Sequence, residues 1–125
     1  MSEIITIAIP TNGTGGIDTA RSAHFGHADS FTLVALTDGQ IQSVSTVTNP
    51  PHEHGGCGQT VQLLAQQGVD LAIVVGMGRG PLSMMQTAGI LPLFDDVSPT
   101  PGAAVAAYLA GGLAPFGGDH VCAGH

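Results

Sequence analysis

Histidine and cysteine residues form two short clusters along the 125-residue chain. The first consists of His52, His54 and Cys57, and the second, close to the C-terminus, contains Cys122 and His125. Imidazole and thiolate groups together suit zinc, copper and thiophilic metal–sulfur clusters. Because neither cluster has the spacing of a zinc-finger pair, a soft-metal site, a Cys57–Cys122 disulfide and a simply buried Cys57 all remain open.

Two glycine-rich segments point to a different chemistry, the binding of an anion. Asn12–Gly16 follows an Ile-rich strand, and Gly76–Gly80 follows a continuous apolar run. Glycine lets backbone N–H groups approach a ligand closely, and a helix that opens at Pro81 adds a favourable field for negative charge. Arg21 and Arg79, the two basic residues of the chain, lie beside these segments. We expect the two segments to form one binding site for a compact anion. Alternatively, the glycines only form turns and the arginines are solvated.

Charge and composition exclude several other functions. Nine acidic residues against two arginines and no lysine give a net charge of −7, which leaves no basic face for nucleic acid or anionic lipid. A P-loop needs a lysine, and the Gly76-x-Gly78-x-Gly80 segment has its third glycine misplaced for a dinucleotide site. Asp95 and Asp96 are adjacent and should point apart, and the chain has no Gly-x-Ser-x-Gly motif. These features predict a non-catalytic protein.

The N-terminus and the hydropathy pattern bear on location. The first residues carry an acid where a signal peptide has basic residues, and no apolar stretch has the length of a membrane helix. We therefore expect a cytoplasmic protein with no membrane segment.

The order of elements predicts an α/β protein. Residues 3–9 form a first strand, and two β-branched runs around Asp38-Gly39 form a hairpin. Helical and apolar segments then alternate up to Gly111. We predict a mixed five-stranded sheet with one antiparallel strand, flanked by helices, in a domain of residues 1–112. Residues 113–125 are expected to form a flexible tail.

Four motifs resemble the dinitrogenase iron–molybdenum cofactor biosynthesis family over residues 3–110. They are Ile9-Pro10, Arg21-Ser-Ala-His-Phe-Gly-His-Ala28, the segment that ends at Cys57, and Gly76-Met-Gly-Arg-Gly-Pro81. The resemblance implies a ribonuclease-H-like fold and a protein that carries or helps to assemble an anionic metal–sulfur cluster. The implied cargo contains molybdenum, as a molybdenum–copper sulfide or an iron–molybdenum cluster.

The resemblance also implies a site and partners. The implied cluster-binding residues are Asn12, Arg21, His24, Phe25, Gly26, His27, Gly76, Met77, Gly78, Arg79 and Gly80. Phe25 and Met77 would give soft apolar contacts to sulfides. The candidate metal ligands are His52, His54 and Cys57, with Cys122 and His125 as further candidates. The implied partners are a cluster donor or acceptor protein and a partitioning-type (deviant Walker) ATPase. The alternatives are a zinc- or copper-binding regulatory module and a metal-free interaction module for such an ATPase.

Overall fold

The fold is a six-stranded mixed sheet with helices on both faces. The computed structural model describes residues 4–25, 28–49 and 57–116, with the backbone alone at 57 and 58. Its elements are β1 (Ile4–Thr11), β2 (Ser30–Thr37), β3 (Gln40–Thr48), α1 (Cys57–Gln66), β4 (Leu71–Val74), α2 (Arg79–Ala88), β5 (Leu91–Phe94), α3 (Pro101–Leu109) and β6 (Ala114–Pro115). The strand order is β3-β2-β1-β4-β5-β6.

The sheet corrects the predicted count of five strands with one antiparallel strand. β1, β4 and β5 are parallel, whereas β2 runs antiparallel to its neighbours and β6 runs antiparallel to β5. β6 lies within residues 113–125, the segment predicted to be a tail. It joins the sheet because Phe116 is buried and packs against Phe94, with ring centroids 6.1 Å apart. Residues 117–125 lie outside the described part of the chain.

Two apolar layers lie on opposite faces of the sheet, one beneath α1 and α2 and the other beneath α3. On one side, α1 and α2 bury Val61, Leu64 and Met85 against the sheet. On the other side, Ala104 and Val105 of α3 pack on residues such as Ile7 and Ile9 of β1. β4 is buried along its whole length, as a central parallel strand covered on both faces should be. No helix in the described ranges is long and apolar enough to cross a membrane.

The ends of the helices follow from local residue chemistry. The Thr100 hydroxyl accepts a hydrogen bond from the Ala103 N–H and caps α3, as the Thr-Pro pair predicts. α2 begins at Arg79, two residues before the predicted start at Pro81. Pro81 fits inside the first turn because a helix leaves the N–H groups of that turn without intrahelical acceptors. Gly89, with φ +80°, ends α2 in the left-handed conformation.

Buried hydroxyl groups hold the chain where β1 ends. The Thr11 hydroxyl lies 2.8 Å from the Ser30 hydroxyl, and the Thr32 hydroxyl donates to Thr11 Oγ1 at 3.2 Å. The N–H of Gly16 donates to Thr32 Oγ1 at 3.0 Å. Gly15 lies next to these three hydroxyl groups and has a φ of +79°. A Cβ at Gly15 would lie 3.0 Å from each of the three hydroxyl oxygens. Glycine is therefore required here by both backbone conformation and space.

Gly15→Ala should lower the free energy of unfolding by about 2–4 kcal/mol, because left-handed strain and overpacking of a buried polar group add together. Gly13→Ala is the matched control, since Gly13 has φ +61° but nothing within 4 Å of its would-be Cβ. Gly13→Ala should lower the free energy of unfolding by only about 1 kcal/mol. Urea denaturation measures both changes, and equal losses in the two variants would contradict the steric part of the account.

Candidate functional site

The loops that follow β1 and β4 meet at one end of the sheet. These two strands are adjacent and parallel, so their carboxyl ends lie at the same edge. The N–H of Phe25 donates to the carbonyl oxygen of Gly76 at 3.2 Å and joins the two connections directly. Open α/β sheets commonly bind ligands beyond this edge. The strand order therefore brings the two glycine-rich segments into one region.

Four of the five N–H groups of the Asn12–Gly16 loop donate to other described residues. The N–H of Gly13 donates to Asp29 Oδ2 at 2.7 Å, and that of Gly16 donates to the Thr32 hydroxyl. Two further N–H groups of the loop donate to backbone carbonyls. A carboxylate also lies against the loop and repels negative charge. This loop therefore differs from the expectation of an anion-binding turn.

The start of α2, in contrast, has backbone N–H groups that do not donate to other described residues. Among the hydrogen bonds between described residues, none uses the N–H of Gly78, Arg79 or Gly80, and the first bond of the helix runs from Leu82 N–H to Gly78 O. Gly78 is the N-cap and brings no side chain that could cap the helix. Arg79 and Gly80 are exposed. Unpaired N–H groups, the positive end of the helix dipole and an exposed guanidinium together favour an anion at this point.

The prediction that both arginines face the anion is wrong for Arg21, because its side chain is buried. Its side chain is 3% exposed and lies 3.7 Å from Asp95 Oδ2, itself on a side chain that is 3% exposed. The Arg21 guanidinium also donates to the carbonyl oxygens of Ser98 at 2.9 Å and Ile73 at 3.5 Å. Its charge is thus compensated inside the fold. Of the two arginines, only Arg79 presents its charge at the surface.

The pair of Arg21 and Asp95 is ionised at neutral pH. Burial raises the pKa of Asp95, but hydrogen bonds from Ser98 and Val97, together with the Arg21 charge, outweigh it and hold that pKa below its ordinary value of 3.8. Burial lowers the pKa of Arg21, while the negative charges of Asp95 and Asp96 oppose the shift. Asp96 is exposed, whereas Asp95 is buried, so the two adjacent carboxylates have different environments.

Phe25 and Met77 also differ from their expected role as contacts to sulfide. Both side chains are buried, at 1% and 4% exposure, in the apolar layer beneath α1 and α2. The Phe25 ring packs on Phe31 with ring centroids 5.3 Å apart. Both side chains fill the core below the loops. Their chemistry suits an apolar core and a sulfide contact equally, so residue type alone did not distinguish the two roles.

The remaining predicted residues divide into exposed positions and positions outside the described ranges. Asn12 is exposed, and its side-chain amide lies 3.5 Å from Arg21 O. His24 is exposed, and its backbone bonds to the Ser22 hydroxyl in both directions. Cys57 begins α1, but only its backbone is described. Gly26, His27, His52, His54, Cys122 and His125 lie outside the described residues. The described ranges hold no group of three His, Cys, Asp or Glu side chains that could bind a metal.

Sequence reasoning missed the structural roles of two acidic residues. The sequence suggests for Asp95 only a carboxylate pair with Asp96, whereas in the structure its charge balances that of Arg21. Its position directly after β5 was the available signal, since β4 and β5 are parallel neighbours and end at the same edge. Asp29 binds Gly13 across the same end of the sheet. No sequence pattern pairs those two residues.

Comparison with known proteins decides the family. The model of the dinitrogenase iron–molybdenum cofactor family matches residues 3–111. The chain belongs to this family. The resemblance seen in the sequence is thereby confirmed, and membership indicates a role in binding or assembling that cofactor class.

The chain is also similar to individual proteins and solved structures. The chain is 30% identical over 91 residues to an uncharacterized protein of Methanocaldococcus jannaschii, which covers 70% of this chain and 72% of that protein. The apo form of the orange protein from Desulfovibrio gigas has a TM-score of 0.81 at 26% identity, covering 94% of this chain and 98% of the other. A NifB-like protein from Thermotoga has a TM-score of 0.72 at 25% identity, covering 89% and 92%.

Asp95→Asn leaves the buried Arg21 charge without its counter-charge, so the free energy of unfolding at pH 7 should fall by about 3 kcal/mol. The folded-state pKa of Asp95 lies below 3.8. The free energy of unfolding that the Asp95 carboxylate contributes is therefore fully present above that value. It is lost as the pH falls through the folded-state pKa of Asp95.

Urea denaturation at neutral and acidic pH measures both effects. Asp96→Asn, at the exposed neighbouring carboxylate, is the control and should change stability by less than about 0.5 kcal/mol. An Asp95→Asn variant as stable as the unmodified chain at pH 7, or a difference that persists unchanged in acid, would refute the stabilising role of the pair.

Proposed function

We propose that this protein binds an anionic metal–sulfur cluster as cargo and carries it or helps to assemble it, without catalysing a reaction. The binding region is the segment of residues 76–80, which leads into the first turn of α2, together with the end of the β1–β2 connection that Phe25 joins to Gly76. The observation that carries the proposal is that the N–H groups of Gly78, Arg79 and Gly80 donate to no other described residue and lie beside the exposed Arg79 guanidinium.

The electrostatics of the chain make this place distinctive. The protein has a net charge of −7, so most of its surface repels an anion. At the start of α2 the helix dipole, backbone donors and one guanidinium act over a few ångströms, where they are screened less than distant charges. A compact anion can bind there although an extended polyanion cannot.

The chemistry of the donors suits a cargo that must later be released. A thiometallate cluster is large and polarizable, and its sulfides can accept hydrogen bonds from backbone N–H groups. Contacts of this kind leave the metal–sulfur bonds unchanged and the cluster transferable. Ligation by Cys57, or by the histidines at 52 and 54, would anchor a cluster more firmly, and those side chains remain predictions.

The finer parts of the proposal rest on the family. We propose that the cargo contains molybdenum, as a molybdenum–copper sulfide or an iron–molybdenum cluster, which the description of the family supports. A ribonuclease-H-like fold is supported by the order β3-β2-β1-β4-β5, in which β2 alone is reversed. A donor or acceptor protein is the proposed partner. The partitioning-type ATPase has no support from the relatives compared, and a cytoplasmic location stays a prediction.

Reconstitution tests the proposed site. Incubation of the full chain with tetrathiomolybdate and copper(I) under anaerobic conditions should give a coloured complex that survives desalting. Arg79→Gln removes the exposed positive charge and should weaken retention about tenfold, the effect of roughly 1.4 kcal/mol. Absorbance and metal content after desalting measure the retained cluster.

Gln86→Ala is the control for this variant. Gln86 is exposed on α2 but lies outside residues 76–80. The Gln86→Ala variant should therefore retain the cluster as well as the unmodified chain does. Equal retention by Arg79→Gln would exclude the start of α2 as the site, and a chain that loses all metal on desalting would contradict the carrier function.

A further inference from the structure

The loop that follows β1 begins with an asparagine–glycine pair in which the side chain of one residue can react with the backbone of the next. Asn12 is exposed, and Gly13 follows it directly. Gly13 has a φ of +61°, and nothing lies within 4 Å of the position that a Cβ would take. Asparagine is one of the thermolabile residues of proteins. Because glycine carries no side chain, its backbone nitrogen can approach the preceding carboxamide without steric hindrance.

The reaction open to this pair is deamidation. The backbone nitrogen of Gly13 loses its proton and attacks Cγ of Asn12, so that a new N–Cγ bond closes a succinimide ring. The Cγ–Nδ2 bond breaks, and the amide nitrogen leaves as ammonia. Water then opens the ring at either carbonyl group and leaves aspartate or isoaspartate, without any oxidant or reductant. Both products add a negative charge to a chain of net charge −7.

In the folded protein, the nitrogen that must react is held by a carboxylate. The N–H of Gly13 donates to Asp29 Oδ2 at 2.7 Å, a short distance that is typical of a hydrogen bond to a charged acceptor. The backbone of the loop is held as well. The Asn12 N–H donates to Ala20 O at 3.1 Å, and the Gly15 N–H donates to Asn12 O at 3.3 Å. The Gly13 nitrogen can therefore attack only after its hydrogen bond to Asp29 has been broken.

Asp29 opposes the reaction by its charge as well as by its hydrogen bond. Loss of the Gly13 proton would create an amide anion beside the carboxylate, and two like charges at this distance repel. A carboxylate is also too weak a base to remove a proton from a backbone amide. Asp29 and Gly13 are both exposed, so the bond between them can open to water, and the reaction is slowed rather than prevented.

We propose that Asn12 is a site of slow, spontaneous deamidation and that Asp29 restrains the reaction by binding the Gly13 N–H. The restraint is a product of the fold, because Asp29 directly precedes β2, and Ser30 at the start of β2 pairs with Thr11 at the end of β1. In an unfolded chain the carboxylate and the loop are not held together, and the pair reacts without restraint.

The chain contains its own reference for this chemistry. Its other asparagine, Asn49, precedes Pro50, and proline has no N–H from which an attacking nitrogen could form. Asn49 should therefore persist under conditions in which Asn12 reacts, and a comparison of the two residues within one sample removes differences in handling.

Peptide mapping by mass spectrometry, after incubation of the full chain for several weeks in mildly alkaline buffer, tests the proposal. The peptide that contains Asn12 should gain the small mass of an amide-to-acid change. Asp29→Ala should raise the rate at Asn12 about fivefold, the effect of roughly 1 kcal/mol for one exposed hydrogen bond. Asp96→Ala is the matched control, because it removes an exposed carboxylate from another loop and should leave the rate unchanged.

Two further measurements separate the loss of this hydrogen bond from a loss of folding. Far-UV circular dichroism checks that Asp29→Ala is folded. Hydrogen exchange of the Gly13 amide should be faster in Asp29→Ala than in the unmodified chain, whereas exchange of the amides of β4, a strand buried along its whole length, should be the same in both.

Three outcomes would overturn the proposal. The first is an Asn12 that stays intact in folded Asp29→Ala for as long as a synthetic peptide of residues 8–18 takes to react. The second is an equal rate in Asp29→Ala and the unmodified chain. The third is an equal acceleration in Asp96→Ala, which would assign the effect to net charge rather than to the Gly13 hydrogen bond. None of these outcomes depends on cluster binding.

Discussion

The buried ion pair between Arg21 and Asp95 is the constraint on which the functional end of the sheet depends. The Arg21 guanidinium forms an ion pair with Asp95 at 3.7 Å and donates to the carbonyl oxygens of Ser98 and of Ile73 in β4. It therefore ties the connection after β1 to β4 and to the segment that follows β5. Removing either charge would leave the other one buried and uncompensated, which is far more costly than an unpaired surface charge.

This arrangement gives the two arginines different tasks. Arg21 is part of the architecture that sets the position of the β1–β2 connection, and Phe25 in that connection hydrogen-bonds to Gly76 at the end of β4. Arg79 stands beyond this junction, at the start of α2, with its charge exposed. The Asn12–Gly16 loop is closed by its own hydrogen bonds and by Asp29, so the capacity to bind an anion is concentrated at one helix end.

Features set by neighbours in the sequence could be predicted, and features set by distant neighbours could not. The β2–β3 hairpin and the Thr100 cap depend on a few adjacent residues, and both were predicted correctly. β6 was missed because two residues have no periodicity, and it forms only through Phe94 and Phe116. The burial of Arg21 depends on Asp95, which is remote in the sequence. Met77 was misjudged because the same side chain serves a core and a sulfide contact equally well.

The most direct test of the central claim is elemental analysis of the full chain purified anaerobically from its own host. The account predicts molybdenum together with acid-labile sulfide, at about one cluster per chain, released without loss of the folded protein. A chain that carries zinc or copper without molybdenum or sulfide would contradict the claim and would favour a His/Cys metal site in its place.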